Sequence, residues 1–282
     1  MSIVTDSFPF FRFGYHVVYD PSITNALDFA AAHQFGYIVP DLAVPRFFPE
    51  NMNQDLRRSI KNRAESLGVS ISLHAPGEGV DIVTLFPEIR EAMLKRISLC
   101  LELARDLGAK RVTIHPSAFP SFASGGQLGT FLQDHLELYR NALLTGLQGI
   151  LDIAPSDVQI CVENSPMEKL TMEVLQTVFN ERKDLYLTWD ILKNQSPAHG
   201  DPASVKQFFL KHVDRVRECH LHDMRPGGRG HDRLGVSDLD FMEYVRLLAK
   251  HDVCFTLEIR PRENAYESLM MLKQAWPEKP RV

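Results

Sequence analysis

Histidines and carboxylates recur in this chain at one kind of place, the polar end of a short alternating stretch. The stretches are Val69-Ser-Ile-Ser-Leu-His74, Val112-Thr-Ile-His115, Val158-Gln-Ile-Cys-Val-Glu163, Leu185-Tyr-Leu-Thr-Trp-Asp190, Cys219-His-Leu-His222 and Phe255-Thr-Leu-Glu258. Strand side chains alternate faces with period 2, so the apolar residues of each stretch point one way and its terminal acid or imidazole the other. Glu163, Asp190 and Glu258, aimed at one interior, would repel one another and lose hydration unless a cation compensates. Mixed carboxylate–imidazole ligation suits a divalent manganese, iron, cobalt or zinc ion.

These stretches are the strands of a regular alternation. Strand one spans about Phe11–Val18 and strand two Tyr37–Leu42; strands three to six end at His74, His115, Glu163 and Asp190; strand seven is Val216–His222 and strand eight Cys254–Ile259. Helices are expected over Ser22–Gln34, Gln54–Leu67, Pro87–Leu107, Leu128–Leu151, Met172–Asn180, Pro202–His212, Leu239–His251 and Asn264–Trp276. Gly68 and Gly108 serve as stop signals, and Pro76, Pro116, Pro166 and Pro261 close strands because proline cannot donate to a ladder. Eight strand–helix units in order predict parallel strands with right-handed crossovers. They fit a closed (β/α)8 TIM barrel better than an open doubly wound sheet, since strand one is followed by no glycine-rich turn. In such a barrel the apolar parity faces the helices and the polar parity faces the axis, with the site at the C-terminal ends of the strands.

The chain has 282 residues, and a barrel takes about 250. A single domain over residues 1–282 is therefore expected. With 31 basic and 36 acidic residues the net charge is −5, which argues against nucleic acid as a partner. The four cysteines form no C-x-x-C pair and read as free thiols in a reducing compartment. No leader or membrane span is apparent, so a cytoplasmic enzyme acting on a small molecule is the expectation. His16, at the end of strand one, shares the inward parity and is a candidate for substrate contact. The loop Arg225-Pro-Gly-Gly-Arg-Gly-His231 follows strand seven, and Arg229, Arg233 and Arg260 are candidates to hold an anionic group.

Together Ser72-Leu-His-Ala-Pro76, Ile114-His-Pro116, Val162-Glu-Asn164, Trp189-Asp190, Cys219-His-Leu-His-Asp223, Gly230-His-Asp-Arg-Leu-Gly235 and Leu257-Glu-Ile-Arg-Pro261 resemble the xylose isomerase-like TIM-barrel superfamily. That superfamily includes endonuclease IV and the tagatose/psicose epimerases. The resemblance implies a metal set of Glu163, Asp190, His220 and Glu258, with His74 and His115 as ligands of a second metal in the endonuclease branch. It also implies Glu163 and Glu258 as the proton-transferring pair of a sugar isomerase or epimerase working through an enediolate-like intermediate. His16, His74, His115, Lys193, His231 and Arg260 are then substrate-binding candidates, and pairing of such barrels makes a homo-oligomer an analogy to test. The alternative is an endonuclease IV-like phosphodiesterase acting at abasic sites. The chain departs from that branch in having Lys193 three residues after Asp190 where the family has His, and His231 directly before Asp232. A metal-free binding barrel is a third reading, disfavoured because the ring of acids would lack compensation.

Overall fold

A computed structural model describes residues 8–77, 79–124, 127–130 and 132–276. Alternating residues fold as expected into parallel strands: β1 (Phe13–Val17), β2 (Tyr37–Pro40), β3 (Ser70–Ile71), β4 (Leu73–His74), β5 (Arg111–Ile114), β8 (Gln159–Glu163), β9 (Leu185–Asp190), β10 (Val216–Leu221) and β11 (Cys254–Leu257). The intervening β6 (Ser121–Ser124) and β7 (Gln127–Thr130) form a separate antiparallel pair. In the main sheet the order is β3-β2-β1-β11-β10-β9-β8-β5-β4. β3 and β4 are halves of one extended run: Ser72 N–H donates to Ile38 O on one side, and Ala75 N–H to Thr113 O on the other. The run thereby joins the two edges and closes the sheet into a TIM barrel of eight strand positions.

The helices are α1 (Ile23–Ala32), α2 (Gln54–Leu67), α3 (Pro87–Leu107), α4 (Leu136–Ile153), α5 (Lys169–Glu181), α6 (Pro202–Lys211), α7 (Phe241–Leu248) and α8 (Arg262–Ala275). The Ser22 and Asn53 side chains cap α1 and α2 by accepting from Asn25 N–H and Leu56 N–H. Gly68 and Gly108 end α2 and α3 in the left-handed region, at φ 66° and 69°. The fourth helix starts later than the expected Leu128. The spacing of Leu128 and Leu132 continues that of α4, but Gly129 and Thr130 are weak helix formers, and residues 127–130 pair with 121–124 instead. Residue 131 of the expected helix lies outside the described residues.

On the outer face of the strands, Phe13, Tyr15, Ile71, Leu73, Val112, Ile160, Val162, Trp189, Leu221 and Phe255 pack under the helices with 2 % exposure or less. Trp189 stacks on Phe209 of α6 at 5.0 Å and meets Tyr244 of α7 edge-on at 5.5 Å. The opposite parity fills the barrel. Tyr37 lies across its interior, its hydroxyl 2.8 Å from Thr256 Oγ1 and its ring under the Arg111 guanidinium at 5.5 Å. Gly14 makes room for that ring, since a Cβ there would fall 2.6 Å from its carbons. Tyr37 is held at both ends and cannot retreat. Gly14→Ala is therefore expected to destabilise the fold by about 1–3 kcal/mol through overpacking, measured as a lower urea midpoint at unchanged m-value.

Candidate metal centre

The strand ends deliver the site. His16 lies in β1, His74 ends β4, His115 follows β5, Glu163 ends β8, Asp190 ends β9, His220 lies in β10 and Glu258 follows β11. Glu163, Asp190 and His220 have no exposure and Glu258 only 3 %. Asn164 fixes the Asp190 backbone, accepting from its N–H at 2.7 Å and donating to its carbonyl at 2.9 Å.

One oxygen is the hub. Glu163 Oε2 has His115 Nε2 at 3.2 Å, His74 Nε2 at 3.4 Å and His220 Nδ1 at 3.4 Å. The other oxygen of Glu163 takes the Lys193 ammonium, which stands 3.4 Å from Asp190 Oδ2. Glu258 joins through His220, with Oε2 3.6 Å from Nδ1, and through His16, with Oε1 3.4 Å from Nδ1. Glu163, Asp190 and His220 each offer a ligand atom within 4.8 Å of the others, as do His74, His115 and Glu163.

Hydrogen bonding assigns the imidazole protons. The His231 backbone N–H donates to His222 Nδ1 at 3.0 Å, so the His222 proton is on Nε2 and is donated to Asp190 Oδ2, also at 3.0 Å. His222 is thus engaged in orienting Asp190. His220 differs: its Nε2 stands 3.5 Å from Glu218 Oε1, an acceptor, which leaves Nδ1 directed at Glu163 and Glu258. Strand parity alone could not separate these two histidines. His74 Nδ1 must donate to the Ala75 carbonyl at 2.8 Å, so its Nε2 would turn a lone pair towards Glu163 Oε2 unless a proton or a cation came between them.

The titration behaviour follows from this crowding. Burial opposes ionisation of Glu163, but the Lys193 ammonium and the His115 and His220 rings outweigh it and hold the carboxyl well below the usual range. Burial likewise opposes Glu258, and the neighbouring His220 and Lys193 outweigh it. Burial disfavours a charged His220, yet Glu258 and Glu163 raise its pKa well above that of a free imidazole. Lys193 is raised too, its burial overcome by Glu163, Asp190 and Glu258. His16 and His231 go the other way under burial, His231 to about 4. His220 Nδ1 and Glu258 Oε2 are buried without a hydrogen-bond partner among the described residues, and His220 Nε2 has only the long approach of Glu218 at 3.5 Å. Such orphaned ligand atoms, in a set of two chemistries suited to transition metals, fit a divalent cation.

Sequence reading missed three contributors. Asp41, beyond β2, is 3.4 Å from His16 Nε2, but the inward residues before it, Tyr37 and Val39, are apolar and hide the alternation. His222 ends one of the alternating stretches but was given no role of its own, since the family resemblance points to His220. Glu218, one layer below His220 within strand seven, was not singled out. It is fully buried, accepts from Thr256 Oγ1 and from Thr113 Oγ1 (3.4 Å), and lies 3.8 Å from Arg111 Nε. Because those hydroxyls donate downwards, Tyr37 must donate to Thr256, and Thr188 to Thr113 at 2.9 Å. Of the arginines singled out, Arg233 turns to Glu267 of α8 at 3.6 Å, while Arg260 stays at the site, its Nη2 donating to His16 Nδ1 at 3.0 Å.

The sequence model of the family described as xylose isomerase-like TIM barrel matches residues 27–275. Among curated relatives, the uncharacterized protein MJ1188 of Methanocaldococcus jannaschii is 27 % identical over 230 residues, covering 77 % of this chain and 78 % of its own. Among solved structures, a D-tagatose 3-epimerase-like protein superposes with a TM-score of 0.73 at 20 % identity, over 93 % of this chain and 96 % of the other. The 3-keto-D-glucoside 4-epimerase YcjR of E. coli gives a TM-score of 0.69 at 17 % identity, over 93 % and 99 %. At these identities the structural likeness is one of fold.

Glu218 is the direct test of the layer that carries the ring. Glu218→Ala strands Arg111 and the two threonine hydroxyls in the barrel and is expected to cost about 3–5 kcal/mol. Glu218→Gln keeps an acceptor and should cost distinctly less, both read by chemical denaturation.

Proposed function

The chain belongs to the xylose isomerase-like TIM barrel family, and from that premise we propose that it is a divalent-metal-dependent isomerase or epimerase of a sugar or related polyhydroxy carbonyl compound. The observation that carries this reading is the convergence of Glu163, Asp190, His220 and Glu258 with orphaned ligand atoms in a buried ring. These four residues would hold the ion. When bound it supplies Lewis acidity, polarising neighbouring oxygens of the substrate.

The proton chemistry falls to the two glutamates. Glu163 and Glu258 stand on strand positions separated by β9 and β10, so they approach a substrate at the barrel mouth from different sides. Both are held ionised by their cationic neighbours, as a base must be. One removes the proton from the carbon beside the carbonyl and keeps it, leaving an enediolate-like species; the other, once it has taken up a proton from solvent, delivers that proton to the opposite face. Lys193, seated against Glu163, offsets the charge that changes as the proton moves. His16, His74, His115, His231 and Arg260 line the remaining mouth as donors and acceptors for hydroxyl groups. The neighbours named as epimerases agree with this class of reaction.

A second reading has one specific observation in its favour. His74, His115 and Glu163 form a second three-ligand cluster, the arrangement a two-metal phosphodiesterase of the endonuclease IV type would use. Lys193, already seated on Glu163 and near Asp190, and the acidic net charge weigh against it.

Metal analysis of the purified chain separates the two, with one divalent ion per chain expected. Glu163→Gln and Glu258→Gln should each lower turnover of ketose substrates by roughly 10²–10⁴-fold and abolish solvent-deuterium incorporation at the reacting carbon. Two or three ions per chain with EDTA-sensitive incision of abasic DNA would establish the hydrolase instead.

A further inference from the structure

Beside the ring, between the loops that follow β1 and β11, is a cavity of about 210 Å³ lined by His16, Tyr19, Asp20, Arg260, Arg262 and Glu263. His16 is shared between cavity and ring, since its Nδ1 lies 3.4 Å from Glu258 Oε1. A substrate whose reacting carbon sits at Glu258 therefore has its next few atoms here.

The cavity has one unmatched charge. Asp20 is committed, accepting from the Tyr15 hydroxyl at 3.0 Å and from Arg262 Nη1. Arg262 is committed as well, to Asp20, to Asn25 Oδ1 at 2.7 Å and to Glu263 at 3.4 Å. Arg260 is not. Among the described residues no carboxylate lies within 4.0 Å of its guanidinium, and its Nε is buried without an acceptor. Its hydrogen-bond partner is the neutral lone pair of His16 Nδ1, which orients the group without neutralising it. The cavity also takes in the start of α8, whose N-cap is Pro261, so no side chain caps its first amides. Uncapped amides at a helix start favour negative charge.

We propose that the substrate of this site carries an anionic group, a carboxylate or phosphate, received by Arg260 in the cavity between the β1 and β11 loops. The inference rests on the isomerase/epimerase reading and narrows it to acidic sugar derivatives. Arg260 is then a specificity-determining residue: the half-buried guanidinium, its Nε already out of water, loses more water in any complex, and only an anion returns the lost interaction.

Calorimetry on the metal-loaded chain with D-fructose, D-fructuronate and D-fructose 6-phosphate tests this. At least one anionic ligand is expected to bind tenfold or more tightly than the neutral ketose. Which one does so distinguishes carboxylate from phosphate. Arg260→Gln should bring the anionic ligand down to the affinity of the neutral one, while Arg260→Lys retains part of the preference. Metal content and melting temperature confirm that both variants are folded. Equal affinity for all three ligands, with deuterium exchange into the neutral ketose, would overturn the anion site and leave the epimerase reading standing. A metal-loaded chain that binds none of them would overturn both.

Discussion

Charge buried at the mouth of the barrel is the constraint under which the rest is organised. Asp41, Glu163, Asp190 and Glu258 are gathered around His16, His74, His115, His220 and His222, with Glu163 and Asp190 wholly removed from water. Two unit charges 4 Å apart at an effective dielectric of 20 interact by about 4 kcal/mol, a large share of a domain's net stability. The chain carries two answers of its own. Lys193 inserts an ammonium between Glu163 and Asp190, and the surrounding carboxylates, against the opposing effect of burial, raise the pKa of His74 and His220 and so favour a proton on each ring. A divalent ion is a third answer and competes with the protons, because an imidazole must give up its proton to act as a ligand.

The ring also needs a floor. An aliphatic layer beneath it would leave His220 Nε2 facing hydrocarbon, which is costly for a group driven towards protonation. Glu218 sits there instead, and its own charge must then be met inside the barrel. Arg111 meets it from the strand start, with Thr113 and Thr256 donating to its oxygens and Tyr37 closing the network from β2. Each polar group in this floor has its partner on another strand, so the layer ties β2, β5, β10 and β11 together while fixing the orientation of a candidate ligand. The consequence is stiffness at the point where geometry matters for binding a metal.

Loops complete the rim by a different device. The chain after β10 folds back so that Asp223 and Asp232 exchange backbone hydrogen bonds at 3.1 and 3.0 Å. The Asp223 carboxylate gathers Val236 N–H, Ser237 N–H and the Ser237 hydroxyl. This brings His231, at φ 57°, over His222, where the rings stack at 4.4 Å and the His231 N–H sets the His222 tautomer. The left-handed backbone at a non-glycine residue is held by those surrounding bonds. A glycine-rich basic segment thus has, beyond a flexible turn, a defined task in orienting Asp190 through His222.

How much of this was legible in the residues follows from what each kind of evidence encodes. Period-2 alternation encodes which face a side chain takes, and that sufficed to bring Glu163, Asp190, His220 and Glu258 to one interior from four separate stretches. It fails where the inward parity is itself apolar. Asp41 lies on the same side as Tyr37 and Val39, and nothing local marks it as facing His16. Alternation is equally silent about depth along the axis, so nothing in it marks Glu218 as a buried charge one layer beneath His220. Choice of tautomer is more remote still. The proton of His222 is decided by a backbone N–H nine residues away and that of His220 by a carboxylate two residues back, contacts that exist only once the barrel has closed. The hairpin β6–β7 escaped for a related reason: its strands gain their hydrogen bonds from each other, while the helical spacing that suggested otherwise is a property of one segment read alone. What the chain writes locally is therefore the direction of each ligand, and what it leaves to tertiary structure is which atom of that ligand carries the proton.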